Sequence, residues 1–178
     1  NLVVSPLIAL MEDQVKALTV NGIEATVLNS SVDRSEQRDR ERDALDGRYR
    51  LLYLAPERLM SPAGRRLLEQ CPIQRLAIDE AHCISEWGHD FRPEYRMIGD
   101  LRAAGSMLAD VPVIALTATA TPRVADDIVQ QLHLREPAVY RGDFERRNLF
   151  YEVRPKQGMF QQLVKYLEAN PDAEGIVY

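Results

Sequence analysis

The stretch LAIDEAH occupies residues 76–82, where a short apolar run ends in two acidic residues, an alanine and a histidine. Short apolar runs of this kind are typical of strands that are buried in a parallel sheet. Ligands of an open α/β sheet bind beyond the carboxyl ends of its strands. The acidic pair Asp79 and Glu80 is therefore expected at the mouth of a binding site.

The rest of the chain alternates similar runs with segments whose apolar residues recur at helical spacing. This alternation predicts an α/β fold, a parallel sheet flanked by helices. The predicted strands cover residues 2–4, 25–28, 51–54, 76–78, 113–116, 151–153 and 176–178. The predicted helices are one that Ser5 caps and Gly22 ends, and others over residues 33–46, 62–70, 93–104, 122–132 and 157–169. A break in the alternation at residues 142–148 predicts a hinge.

Composition narrows the class of protein. The 178 residues carry a net charge of -5, which argues against a protein that coats nucleic acid through bulk positive charge. No apolar run approaches the roughly 20 residues of a membrane span, so we expect a cytoplasmic protein, or a nuclear one in a eukaryote. Cys71 and Cys83 are too few for a disulfide framework or a four-cysteine zinc site. Because both ends adjoin predicted strands, we expect a piece of a longer protein.

The two acids can serve different tasks, because neighbouring residues that leave a strand point in different directions. One carboxylate can hold Mg²⁺, and the other can orient or deprotonate the water that attacks a terminal phosphate. The alternative is structural: acidic residues also favour the first turn of a helix for electrostatic reasons alone.

The stretch CISEWGHDFRPEY follows at residues 83–95, and it resembles the aromatic-rich loop of RecQ-family DNA helicases. The resemblance continues in order along the chain. Residues 4–14 resemble helicase motif Ia, residues 51–59 the motif between Ia and II, residues 79–82 motif II (the DEAH box), and residues 115–120 motif III. Further similarity, to the start of a second motor domain, lies in Phe144, Arg146, Asn148 and Leu149. The resemblance implies a RecA-like fold, with an incomplete first motor domain at 1–143 and the start of the second at 144–178.

Roles in nucleotide chemistry follow from the resemblance. It implies that Asp79 coordinates Mg²⁺, that Glu80 activates the attacking water, and that His82 links the nucleotide site to the rest of the motor. Thr117 and Thr119 would hydrogen-bond toward motif II. A plain strand-end turn built from small hydroxyl residues is the alternative for these threonines.

Roles in DNA binding also follow from the resemblance. The implied DNA-contacting residues are Ser5, Pro6, Pro56, Glu57, Arg58, Trp87, His89, Phe91 and Arg92. Ser5 and the helix start behind it suit a DNA phosphate, although a Ser-Pro pair also begins many helices that bind nothing. Aromatic and guanidinium planes stack on bases of any sequence. Trp87 could instead be a core residue, but its polar neighbours favour an exposed loop.

The resemblance implies part of an ATP-dependent 3'-5' helicase of recombination and repair, with ATP and Mg²⁺ as cofactors. It would act as a monomer on single-stranded and partly duplex DNA. The sequence contains no Gly-x-x-x-x-Gly-Lys-Ser/Thr phosphate loop, so we expect that loop upstream in the parent and no activity from this stretch alone. A non-catalytic nucleic-acid-binding or adaptor module that has retained the fold is the alternative. An unrelated Mg-dependent hydrolase or an RNA helicase is a third possibility, which the aromatic loop argues against.

Overall fold

The structure is a computed structural model that describes residues 1–29, 32–142, 148–172 and 174–177. It divides into two compact units, Asn1–Ala138 and Val139–Tyr178. The predicted domain boundary at residue 143 lies outside the described residues, as do Phe144, Arg146 and most of the predicted hinge. The assignment of the units to two motor domains therefore stays a prediction.

The first unit is built on a five-stranded parallel sheet. Its strands are β1 (Leu2–Val4), β2 (Ala25–Leu28), β3 (Leu51–Leu54), β4 (Leu76–Ile78) and β5 (Val113–Ala115), in the spatial order β2-β3-β1-β4-β5. Val4 is in register with Leu54 on one side and with Ile78 on the other, so three central strands end at the same level. The predicted α/β fold with a parallel sheet is confirmed.

Helices connect successive strands of this sheet, and one further helix follows the last strand. They are α1 (Ile8–Val20), α2 (Arg34–Leu45), α3 (Pro56–Met60), α4 (Pro62–Gln70), α5 (Pro93–Arg96), α6 (Ile98–Arg102), α7 (Pro122–Gln131) and a 3₁₀ helix at Ala81–Ile84. Side chains cap three of them: Asp33 begins α2, Ser61 begins α4 and Thr121 begins α7, each by accepting backbone N–H groups that have no partner within the helix.

The first helix begins later than predicted. Ser5 is not its cap, because the Ser5 N–H still donates to the carbonyl of Leu54 at 3.3 Å and so continues the extended path of β1. The helix starts at Ile8 behind Leu7, which makes no side-chain cap. The single helix predicted at 93–104 is also interrupted, and α5 and α6 meet at Met97.

Both faces of the sheet are buried at its central strands. Along β1, Leu2 and Val4 join a large cluster on one face, whereas Val3 joins Met11 and Tyr53 on the other. This alternation follows from the two-residue period of a strand. At the edge strand β5 the second face is open, and Ile114 is 59% exposed there. The polar residues that follow the strands lie at the carboxyl edge of the sheet.

The second unit contains one helix among its described residues, α8 (Met159–Ala169). The strands predicted at 151–153 and 176–178 do not form in the described part of the unit; Tyr178 lies outside it. Val153 is 98% exposed and Ile176 is 89% exposed, so these apolar runs pair with no strand and enter no core in the part of the chain that the structure describes. Within the described ranges of the whole chain, no helix combines the length and apolarity that crossing a bilayer requires.

Candidate functional site

Asp79 is fixed where β1 and β4 end. Its N–H donates to the carbonyl of Val4 at 2.9 Å, and this bond extends the ladder between the two strands. One carboxylate oxygen accepts the N–H of Glu80 at 3.0 Å, and the other accepts the hydroxyl of Ser5 at 3.2 Å. Ser5 itself has no exposed surface. Its hydroxyl therefore supports Asp79, and the residue does not lie on the molecular surface where the resemblance implied a DNA contact.

Glu80 adopts a left-handed backbone conformation, with φ 48° and ψ 44°. Residues other than glycine seldom adopt it, and such outliers concentrate at functional sites. The conformation turns the chain sharply from β4 into the 3₁₀ helix at Ala81–Ile84. The carboxylate of Glu80 consequently lies 3.2 Å from Nδ1 of His82, whereas Asp79 points to Ser5. The two acids thus have different surroundings, and each can serve a separate task.

His82 connects three parts of the site. It is 4% exposed, and its Nδ1 is 3.0 Å from the hydroxyl of Thr117 as well as close to Glu80. Burial lowers the pKa of His82, and the neighbouring His89 lowers it further, although Glu80 opposes the shift. The imidazole is therefore neutral at neutral pH. A neutral ring with one N–H can exchange partners between a carboxylate and a hydroxyl.

The segment after β5 reaches motif II through backbone and side chain. The N–H of Ala81 donates to the carbonyl of Leu116 at 2.8 Å. Thr117 adds its hydroxyl contact to His82 and accepts the N–H of Thr119 at 3.2 Å. Among the described contacts, Thr119 acts through its backbone on Thr117. Of the two predicted threonines, Thr117 is the one in direct contact with motif II.

The aromatic loop is exposed at Trp87, whose surface is 57% accessible, so the core reading of this residue does not hold. Arg123 of α7 lies over its ring at 3.3 Å from the centroid. Ser85 donates its hydroxyl to Asp127 of α7 at 2.6 Å and accepts the N–H of Trp87 at 3.2 Å. Helix α7 therefore holds the loop in place.

The remaining loop residues fold back toward motif II. The ring of His89 stacks on that of His82 with centroids 4.2 Å apart. Arg92 donates to Asp90 from two nitrogens, at 3.0 and 3.2 Å, and this pairing lowers the pKa of the exposed Asp90. Phe91 and Arg92 are half-buried.

Side chains of His82, Cys83 and Asp90 come close enough together to hold a metal ion, with their ligand atoms within 4.8 Å of one another. Two features oppose this role. Arg92 already neutralises Asp90, and burial, with a contribution from Asp90, raises the pKa of the Cys83 thiol to about 11. Because metals bind the thiolate, we assign no metal to this cluster.

Other residues implied in DNA contacts lie at the same edge of the sheet. Pro6 is half-buried before α1, and Glu57 is exposed on α3 beside the buried Pro56. Arg58 pairs with Glu41 of α2, so its charge is compensated, and its buried Nε has no hydrogen-bond partner among the described residues.

Several residues in these contacts were not singled out from the sequence. They are Ser85, Tyr95, Arg123 and Asp127. Tyr95 donates its hydroxyl to the carbonyl of Asp79 at 3.0 Å. Arg123 and Asp127 stand four residues apart and so share one face of α7. That spacing indicates that the two side chains act on the same side of the helix, but it does not identify the residues that they contact.

Comparison with known proteins gives consistent matches. The family described as DEAD/DEAH box helicase matches residues 1–128. Over 99% of its length the chain is 44% identical to "ATP-dependent DNA helicase RecQ" of Pasteurella multocida and 48% identical to the protein of that name in Bacillus subtilis. It is 43% identical, over 94% of its length, to "ATP-dependent helicase wrn-1" of Caenorhabditis elegans. The chain spans 28%, 30% and 16% of these three relatives.

Proposed function

The chain belongs to the DEAD/DEAH box helicase family, and on that premise we propose that it is part of the motor core of a RecQ-type, ATP-dependent DNA helicase. Similarity to proteins named RecQ over nearly the whole chain supports this proposal. The observation that carries it is the path of contacts from Glu80 through His82 to the exposed loop at Trp87. A DNA-stimulated ATPase needs such a path between its two ligands.

In the proposed reaction, Asp79 would hold Mg²⁺, and Glu80 would orient and deprotonate the water that attacks the γ-phosphate of ATP. Asp79 fits the ion, because its carboxylate is a hard oxygen ligand and the buried Ser5 hydroxyl that donates to it holds it in place. Mg²⁺ would neutralise charge on the transferred phosphoryl group. His82 and Thr117 then report the state of the nucleotide site to the neighbouring strand.

The DNA strand would cross the carboxyl edge of the sheet. Trp87, His89, Phe91 and Arg92 would meet bases, while the start of α1 and the segment at Pro56–Met60 would border the backbone. The first turn of α1 has no side-chain cap, which leaves its N–H groups available to a phosphate. We further propose translocation with 3'-5' polarity, by a monomer, in recombination and repair.

The deciding experiment uses the full-length protein that contains this chain. ATP turnover is measured with and without single-stranded DNA, and strand separation is measured on duplexes with a 3' or a 5' tail. We expect turnover that DNA stimulates and unwinding of the 3'-tailed duplex alone. The Glu80→Gln variant is the matched control for contaminating ATPase. Binding of single-stranded DNA without any ATP turnover would identify the adaptor alternative and contradict the helicase.

A further inference from the structure

One face of the Trp87 indole is covered from within the molecule. The guanidinium of Arg123 lies 3.3 Å from the ring centre. Since planar groups in van der Waals contact are about 3.5 Å apart, no third plane fits between them. Arg123 stands in the first turn of α7, which Thr121 caps, so the origin of its side chain is fixed. Any ligand that stacks on this face must first displace Arg123.

The same helix holds the loop at a second point. Asp127, one turn after Arg123, accepts the Ser85 hydroxyl at 2.6 Å, and Gln131 donates to its other oxygen at 3.1 Å. The N–H of Trp87 bonds back to Ser85 at 3.2 Å. The indole is therefore held next to α7 even when Arg123 moves, so that displacing Arg123 exposes a face whose position is already set.

The cleft beside this face selects for a particular ligand chemistry. Trp87, Arg123, Asp126, Asp127 and Gln130 line it. Apart from Arg123, its charged members are acidic, so the cleft disfavours a phosphate. A flat, uncharged group meets no such repulsion, and carboxylate and amide oxygens can accept hydrogen bonds from exocyclic amino groups. A nucleobase has these properties.

The proposed function already places a base of single-stranded DNA at Trp87. We propose that Arg123 is an internal competitor for the α7-facing side of this indole, displaced when the base enters. The inference rests on the proposed function. A cation over an exposed indole shifts an equilibrium about two- to fivefold, whereas base stacking on an aromatic residue shifts one about five- to a hundredfold. The base therefore prevails, but the apparent affinity is reduced by the fraction of Trp87 that Arg123 covers.

The test is the Arg123→Ala variant of the full-length protein. We expect it to bind a dye-labelled single-stranded oligonucleotide about two- to fivefold more tightly than the natural protein, as measured by fluorescence anisotropy. Loss of a positive charge would ordinarily weaken DNA binding, so tightening is a distinctive result. Arg135→Ala is the matched control, because it removes the same charge from a side chain that is 77% exposed and pairs with Asp110, away from Trp87. The control should not tighten binding.

A double-mutant cycle completes the test. In a Trp87→Ala background, Arg123→Ala should no longer increase affinity, because the occupied face is gone. Unchanged or weaker binding by Arg123→Ala, or equal tightening in both backgrounds, would overturn the inference. If ATP turnover and DNA binding are intact in the natural protein, a negative result with Arg123→Ala would not contradict the proposed helicase function. Absence of both activities in the natural protein would instead contradict the proposed function.

Discussion

The loop after β4 has a buried half and an exposed half. In residues 81–85, the most exposed residue is His82 at 4%, whereas Trp87, two residues further, is 57% exposed. The first half is held by the core and by the ladder to β5. Surface pairs hold the second: Arg96 meets Glu86 at 2.5 Å, and Arg123 covers Trp87. Surface contacts can exchange for a ligand at low cost, and core contacts cannot. The exposed half is therefore suited to sensing and the buried half to transmitting.

Several contacts join the halves over a short distance, among them two backbone hydrogen bonds and one ring contact. The N–H of Gly88 donates to Ser85 at 2.9 Å, the N–H of Arg92 donates to Cys83 at 2.9 Å, and His89 stacks on His82. A displacement of the exposed half consequently acts on the buried half through backbone bonds as well as through a ring contact.

The largest effect is expected from Glu80→Gln in the buried part of the site. The amide keeps the shape of the side chain but removes the base, so ATP turnover should fall about 100- to 10,000-fold while nucleotide binding persists. Steady-state turnover and equilibrium nucleotide binding, measured on one preparation, check this. Asp79→Asn is the companion variant, and it should weaken Mg-dependent nucleotide binding. Near-normal turnover by Glu80→Gln would mean that the roles of the two acids are wrongly assigned.

Trp87→Ala tests the exposed half. A base that stacks on this ring stabilises the DNA-bound loop about five- to a hundredfold, so stimulation of ATP turnover by single-stranded DNA should fall by a similar factor. The melting temperature should change little, because truncating an exposed ring leaves no cavity. Truncating a buried tryptophan to alanine would instead lower the free energy of unfolding by about 3 to 5 kcal/mol. Phe91→Ala should also reduce the stimulation. Full DNA stimulation, or a greatly lowered melting temperature, would remove Trp87 from the sensing role.

The positions of most strands and of the acidic pair could be predicted from the sequence, because local patterns determine them. The four strands β1 to β4 lie where the apolar runs predicted them, since a strand buried on both faces is apolar at nearly every position. Asp79 and Glu80 follow β4 for the same reason. The helix at Pro62–Gln70 was also predicted with its bounds, which Pro62 and its Ser61 cap mark locally.

Side-chain partners that are distant in sequence were not predictable. Ser5 looked like a helix cap, and its actual partner Asp79 is 74 residues away. Arg123 and Trp87 are in contact only because α7 packs against the loop, and no local sequence pattern predicts that packing. Helix α3 has five residues and is too short to show a helical period. Tertiary contacts, which local periodicity does not encode, decide the first two cases, and short length decides the third.

Gly88→Ala tests the tight turn that connects the buried and exposed halves of the loop, which we call the joint. A Cβ at this position would lie 2.4 Å from the carbonyl oxygen of His82 and 3.1 Å from that of Ser85, so the turn must open. Forcing extra atoms into a packed site typically costs about 1 to 3 kcal/mol. We expect lower thermal stability together with weaker DNA stimulation. Gly142→Ala is the control, since a Cβ there has no atom of the described residues within 4 Å. Equal behaviour of the two variants would show that the close packing of the joint is unimportant.

The smallest effect is expected from Tyr95→Phe, which removes the bond that closes the loop onto the end of β4. Tyr95 has no exposed surface, and its hydroxyl donates to the carbonyl of Asp79 at 3.0 Å. Burial raises the pKa of Tyr95 above its ordinary value, so the hydroxyl keeps its proton at all working pH values. Losing one buried hydrogen bond of this kind costs about 1 kcal/mol, which thermal melting can resolve.

Tyr53→Phe is the matched control, because Tyr53 is 6% exposed on β3 and its hydroxyl makes no hydrogen bond within the described residues. Since the lost bond holds the backbone of Asp79, Tyr95→Phe should also weaken Mg-dependent nucleotide binding, and Tyr53→Phe should not. Equal shifts in both variants would show that closing the loop onto β4 does not position the acid.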